Sequence, residues 1–318
     1  MPSHSLLTYS ARRQSYNVGD YIQSLAARQF LPSVDHLLNR EQLGAYRGPP
    51  TKLILNGWFT HKPETWCPSP DILPLFVSFH LNSLAAAAFL QGRNLDYLRR
   101  HSPIGCRDHD TVRLLRAAGI DAHFTGCLTL TLDRYANPAA DRREILLVDH
   151  DLGLGRDNPL SRLRGLFSPR HQASRRRAAA LRRFLAPLLP LASPTTTHHL
   201  PAVGVSEAER FATAESLLRR YASARLVITA RIHCALPCLA LGTPVLFVNG
   251  YHKPSDLCRF DGLLDLLHRV ELSPSGSIST SFPLPPDGLL NPSSFPANPS
   301  LHLPLAASLR SRVLSFLR

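Results

Sequence analysis

The 318-residue sequence predicts a two-lobed α/β protein whose mostly parallel sheets are flanked by helices and face a cleft. Two observations lead to this class. Short apolar, β-branched runs alternate with segments of helical period in both halves of the chain, the pattern of strands joined by crossover helices. The stretch 222–248, ASARLVITARIHCALPCLALGTPVLFV, then reads as strand, turn, helix, turn and strand in one unbroken unit. Leu226, Val227 and Ile228 form its first buried strand, Thr229 is placed to cap, and Gly242 sits where a left-handed helix end belongs. Pro237 predicts a helix that starts late, near His233, or that is kinked.

The other elements follow in chain order. Asn17, Gly19 and Asp20 precede a helix over 21–30, with Asn17 and Asp20 as capping residue types. Residues 53–55 make a strand that turns at Asn56-Gly57-Trp58, and 75–79 a second strand ending at His80. Arg107-Asp108 precedes a helix over 109–118 that Gly119 terminates, with Asp108 as its cap; a strand over 120–124 comes next. Residues 144–148 open the second lobe with a strand ending at Asp149-His150-Asp151. Gly153 and Gly155 follow, at a spacing that does not meet a dinucleotide fingerprint. A β-prone run ends at His198-His199, a helix over 207–221 leads into the 222–248 unit, and a short helix lies around 263–268. From 271 onward prolines and serines dominate, which predicts a linker or disordered tail with one amphipathic helix over 305–317 docking back on the body. The expected division is therefore 1–140, 141–270 with a basic connector at 156–183, and a tail at 271–318.

Composition excludes several classes. No apolar run is long enough to span a bilayer, and the first residues lack a secretory core, so a soluble, cytoplasmic protein is expected. The six cysteines are scattered rather than arrayed as a disulfide scaffold, and neither they nor the histidines form a metal-ligand pattern, so no metal or cofactor is expected. The net charge of +13 suggests nucleic acid until it is located. Nine arginines face one acidic residue, Asp157, between positions 156 and 183, which places most of the excess in a connector. Without aromatic interleaving, a solvated basic helix is the simpler reading, and nucleic acid is not the expected partner.

Ligands of open α/β sheets bind at strand carboxyl ends. There the pattern gathers Arg107, the histidine pair and the Arg231–His233 junction, where the amino end of a helix adds oriented N–H groups. A guanidinium such as Arg107 at a helix amino terminus opposes the dipole unless an anion joins it, or a carboxylate such as Asp108 pairs with it. The pattern thus points to an anion-binding enzyme.

Three segments also resemble the polysaccharide pyruvyl transferase family. VITARIHCALPCLALGTPVLF is similar to its closing signature, with an Arg-hydrophobic-His triplet at Arg231-Ile232-His233. NVGDYIQSLAARQF resembles its opening Asn-x-Gly-Asp helix, and IGCRDHDTVRLLRAAGIDAHFTGCLTLTL its central Arg-Asp segment. The resemblance spans about 15–270. It implies Rossmann-like lobes arranged as in GT-B glycosyltransferases, and transfer of a pyruvyl group from phosphoenolpyruvate to saccharide hydroxyls, with a ketal and phosphate as products.

On that basis His233 is expected as general acid and Asp20 as base or hydroxyl-orienting group. Arg231, Arg107 and Ile232 are expected on the donor, and Asn17, Asn56 and His80 on the acceptor side, with His198 and His199 in reserve for a proton role. Two alternatives use the same features. A glycosyltransferase with a nucleotide-sugar donor would suit the arginine–helix site, and a non-catalytic polyanion binder would use the basic connector.

Overall fold

A computed structural model describes residues 2–11, 14–59, 62–137, 141–151, 169–193, 197–251, 257–291 and 295–318. Gly153 and Gly155, the first part of the basic connector, 194–196, and His252, Lys253 and Asp256 lie outside the described residues.

The chain begins with β1 (Ser3–Thr8), β2 (Ser15–Asn17), α1 (Val18–Arg28), β3 (His36–Asn39), β4 (Thr51–Trp58) and α2 (Pro63–Trp66). It continues with β5 (Ile72–His80), α3 (Ser83–Phe89), α4 (Gly92–Arg100), β6 (Ile104–Cys106), α5 (His109–Ala117) and β7 (Ala122–Phe124). Six of these strands form a parallel sheet in the order β3-β1-β4-β5-β6-β7. The second half contributes β8 (Glu144–Val148), α6 (Pro169–Phe184), β9 (His199–Pro201), α7 (Glu207–Ala222), β10 (Ala224–Thr229) and α8 (Ile232–Ala240). After these come β11 (Val245–Asn249), β12 (His268–Leu272), β13 (Ile278–Thr280) and α9 (His302–Leu317). The second sheet runs β13-β12-β11-β10-β8 and is parallel except for β13 at its edge. This is a Rossmann-like α/β arrangement consistent with GT-B.

The sheets are clasped rather than merely adjacent. β2 pairs antiparallel with β9, so Asn17 lies opposite His199, and the first amide of α1, Val18 N, donates to His198 O at 2.8 Å. Behind this ribbon, the Tyr21 hydroxyl on α1 donates to Glu207 on α7 at 2.9 Å and accepts from Arg210 at 3.1 Å. Across the cleft, Arg113 of α5 pairs with Asp261 at 2.8 Å. One apolar core therefore runs from Leu55 and Phe79 of the first sheet to Val227 and Phe247 of the second.

Several elements depart from the sequence reading, each for a local reason. The first helix begins at Val18, not 21, because Asn17 caps it by accepting from Gly19 N at 3.1 Å. Asn56-Gly57-Trp58 does not turn but continues β4, with Gly57 paired to Phe79 and Trp58 to His80. A register shift between Leu55 and Gly57 is absorbed by the glycine, whose φ of +122° suits no other residue well. α8 starts at Ile232 and runs through Pro237; seven of its nine residues are buried, and packing outweighs the lost backbone bond. Thr229 is not the cap: Arg231 holds that position, and the Thr229 hydroxyl accepts its amide at 2.9 Å while donating to Val148 O.

The predicted helix at 263–268 is a 3₁₀ turn at Leu264–Leu266, after which His268 enters β12. The proline-rich tail is not a free linker. Glu271 lies in β12, Phe282 and Leu290 are buried in the second lobe, and Asn298 bonds both Val245 N and Thr243 O. The basic connector ends in α6, whose Leu181 and Phe184 enter the core while Arg175, Arg176, Arg182 and Arg183 stay exposed.

α9 crosses back to the first lobe. Lys52 of β4 donates to Phe316 O and Leu317 O, and Arg310 to Thr131 O. Leu309 is fully buried there. Leu309→Ala should lower the unfolding free energy by about 2–4 kcal/mol in a denaturant titration; an unchanged midpoint would show that α9 does not dock as described.

Candidate functional site

A cleft of ≈ 910 Å³ opens where the clasp, the carboxyl end of β4 and the β10–α8 junction meet. Among the described residues, five permanent cations line it, Arg40, Lys62, Arg107, Arg231 and Arg259, against two carboxylates, Asp20 and Glu41. Glu41 takes Arg40 at 2.9 Å, so its charge is spent locally. What remains favours an anion.

Arg107 is the most constrained of these groups. It follows β6, only 2% of its surface is exposed, and its amide donates to Phe79 O. Asp108, next in sequence, caps α5 by accepting Thr111 N at 2.8 Å, and its carboxylate lies 3.8 Å from Arg107 Nε. That Nε makes no hydrogen bond among the described residues. One terminal nitrogen of Arg107 reaches Gln23 Oε1 at 3.5 Å and His233 Nε2 at 3.4 Å. A guanidinium can only donate, so His233 Nε2 must accept and the imidazole is neutral in this arrangement. Burial, and the Arg107 and Arg259 charges after it, hold His233 well below the ordinary histidine range.

Arg231 is fixed differently. Its Nε donates to Asp149 Oδ2 at 2.8 Å, and it stands at the start of α8, where the Cys234 and Ala235 amides already donate to Arg231 O and only those of Ile232 and His233 precede the first helical acceptor. Ile232 follows at the cleft wall with its side chain mostly buried. On the opposite lobe Asp20 occupies the first turn of α1 and accepts from Gln23 Nε2 at 3.3 Å. Gln23 thus links Asp20 to Arg107, a connection made by one turn of helix meeting a strand end and absent from any local sequence signal.

Of the residues singled out by sequence, Asn17, Asp20, Arg107, His198, His199, Arg231, Ile232 and His233 all line this one cleft. His198 is buried against it, bonded through Nε2 to the Tyr221 hydroxyl at 2.8 Å, whereas His199 is exposed. Asn56 and His80 are not among the lining residues. Asn56 is buried and donates to Gln23 O at 2.8 Å, which supports α1 from below. His80 is fully buried behind Arg107, with Nδ1 2.6 Å from Asp108 Oδ2. The reasons differ: β4 extends past Asn56 to Trp58, so the Asn56 side chain joins the packing, whereas His80 ends β5 and is drawn inward by Asp108. Sequence reading missed Arg40, Trp58, Lys62 and Arg259 on the cleft wall and Gln23 beside Arg107, whose local sequence carries no signal of where they converge.

Burial and the Arg107 charge push His80 down to about 4, against the pull of Asp108. Burial opposes ionisation of Asp108, but the His80 contact, Arg107 and the Thr111 amide prevail and hold its carboxyl below the ordinary value. The pair is therefore an ionised aspartate accepting from a neutral histidine. On unfolding, His80 returns to about 6.5 and takes up a proton that the folded protein refuses, so its stability is full above that value and lost as pH falls toward 4. Urea titrations should show the unfolding free energy falling by about 2 kcal/mol from this group between roughly pH 7 and pH 5, with a shallower fall in His80→Asn. Equal slopes in both proteins would contradict a neutral buried His80.

Comparison with known proteins returned one informative result. Residues 95–250 match the family model described as polysaccharide pyruvyl transferase. The matched segment holds Arg107, Asp149, His198, Arg231 and His233, and begins after the Asn17–Asp20 helix start. Neither the curated proteins nor the solved structures gave a match. Over residues 95–250 the chain is similar to the polysaccharide pyruvyl transferase family, and it is a transferase enzyme.

Proposed function

We propose that this enzyme transfers the pyruvyl group of phosphoenolpyruvate to two hydroxyls of a saccharide, forming a ketal and releasing phosphate. The observation that carries the reading is the Arg107–His233–Arg231 cluster at the start of α8, a neutral histidine set among guanidiniums that the protein's own carboxylates only partly offset. Phosphoenolpyruvate supplies a carboxylate and a phosphate, the two anions such a cluster can bind with charge-assisted, bidentate geometry. The first amides of α8 add donors at the same place.

The chemistry assigns the remaining roles. A proton is delivered to C3 of the enol while a saccharide hydroxyl attacks C2, and that hydroxyl's proton passes to a base. The C2–O bond to phosphate then breaks as a second hydroxyl closes the ketal, and the proton of that hydroxyl leaves with the phosphate. His233 is the acid in this scheme. Because Arg107 occupies its Nε2 in the free enzyme, the incoming anion has to draw the guanidinium onto itself; its own negative charge then raises the imidazole pKa and lets the ring take up a proton. Asp20, on the facing lobe and oriented by Gln23, serves as base or hydroxyl anchor. Arg231 and Arg107 stabilise the charge that grows on departing phosphate. Nothing in the geometry favours a nucleotide-sugar donor over this reading.

The assignment is tested by phosphate release from phosphoenolpyruvate with a panel of saccharide acceptors. Arg231→Ala and His233→Ala should each reduce turnover by roughly 10²-fold or more while leaving the melting temperature near that of the parent. Normal turnover in either variant would refute its role, and release of a nucleotide from a sugar nucleotide would refute the donor.

A further inference from the structure

The tip of β8 carries a residue that the scheme above leaves without a role. Asp149 follows the last residue of β8 and adopts φ +41°, one of three non-glycine residues with positive φ among the described residues. Aspartate tolerates this conformation better than most residues, but at a cost, and such outliers persist where the surroundings impose them. The surroundings here are specific. β8 and β10 are neighbours with Val148 opposite Thr229, so Asp149 and the Arg231 turn emerge side by side from the carboxyl edge of the sheet. One carboxylate oxygen of Asp149, 5% exposed, accepts both Arg231 Nε at 2.8 Å and the His198 amide at 2.9 Å. His198 in turn accepts the first amide of α1 through its carbonyl. Neither terminal nitrogen of Arg231 makes a hydrogen bond among the described residues, and the side chain lines the cleft.

We infer that Asp149 is a positioning residue for donor binding: it grips Arg231 by Nε so that the guanidinium's other edge is presented to the donor anion. The inference rests on the phosphoenolpyruvate reading for the identity of that anion. A rotating arginine would lose rotamer freedom each time it bound; one already held has met that cost in folding. The same oxygen, through the His198 amide, fixes the segment that pairs with β2, so donor grip and lobe clasp share one anchor. Lysine could not replace Arg231 here, since it offers no second edge once its nitrogen is engaged.

Glycine occupies the left-handed region without penalty, so Asp149→Gly removes the grip while relieving the backbone. Asp149→Asn keeps an acceptor oxygen and loses only the charge. With the full-length protein, Asp149→Gly should raise the KM for phosphoenolpyruvate roughly tenfold or more with kcat changed far less, and Asp149→Asn should fall between it and the parent. Thermal midpoints report that both variants are folded; should the glycine variant not fold, the asparagine variant is read with a threshold of about threefold. A folded variant with parental KM overturns the inference. If the parent protein does not act on phosphoenolpyruvate at all, the donor reading fails, and the grip is then judged by NMR of the Arg231 Nε–H, identified by its loss in Arg231→Lys. A signal protected from exchange in the parent and lost in Asp149→Gly supports the grip, and one unchanged by the substitution overturns it.

Discussion

A guanidinium buried to within 2% of its surface has to be answered by negative charge or hydrogen bonds, and Arg107 is answered only in part. Its nearest carboxylate is 3.8 Å away and is already committed to capping α5 and to His80. Its remaining contacts, Gln23 and His233, are neutral and at the long end of hydrogen-bond distance. The rest of the site follows from this shortfall. Gln23 has to sit on α1, which requires α1 to be capped by Asn17 and tied to His198; His233 has to be a neutral acceptor, which burial among cations enforces.

That dependence explains the architecture around the cleft. Neither lobe holds Arg107 alone: Asp108 and His80 come from the first sheet, Gln23 from the helix that the clasp secures, and His233 from the second lobe. The continuous apolar core, the β2–β9 ribbon and the return of α9 to the first lobe keep these contributors in register. Asp149 performs the matching task for Arg231 on the other lobe, so Arg107 and Arg231 each stand in the cleft beside one carboxylate fixed by a backbone amide.

Much of this was legible in the sequence because it is local. The β10–α8–β11 unit, the Asp108 cap and the Asn17–Asp20 helix start are each written within a few residues, where capping chemistry and periodicity act directly. The two-lobed α/β class followed from the alternation of such units. What escaped reading is long-range. Gln23 gains its role from a strand end 84 residues away, and Arg231 from Asp149, 82 residues upstream. Asn56 looks like a rim residue when its strand is ended at 55 instead of 58, since a bulge at Gly57 is invisible to a period-2 pattern; His80 does end its strand, but Asp108, brought up by the neighbouring β6–α5 junction, buries it. Composition misleads for the proline-rich part of the tail, where Phe282 and Leu290 supply enough apolar surface to dock it, whereas the terminal helix with Leu309 docks as its amphipathic pattern indicates.

The central claim is that an anion arriving at Arg107 frees and charges a histidine that burial and the Arg107 contact keep neutral. Calorimetry of phosphoenolpyruvate binding in buffers of differing ionisation enthalpy measures this directly, at a pH where the ligand is fully ionised. The account predicts net uptake of close to one proton on binding, abolished in His233→Ala. Binding with no proton uptake, or uptake that survives that substitution, would contradict it.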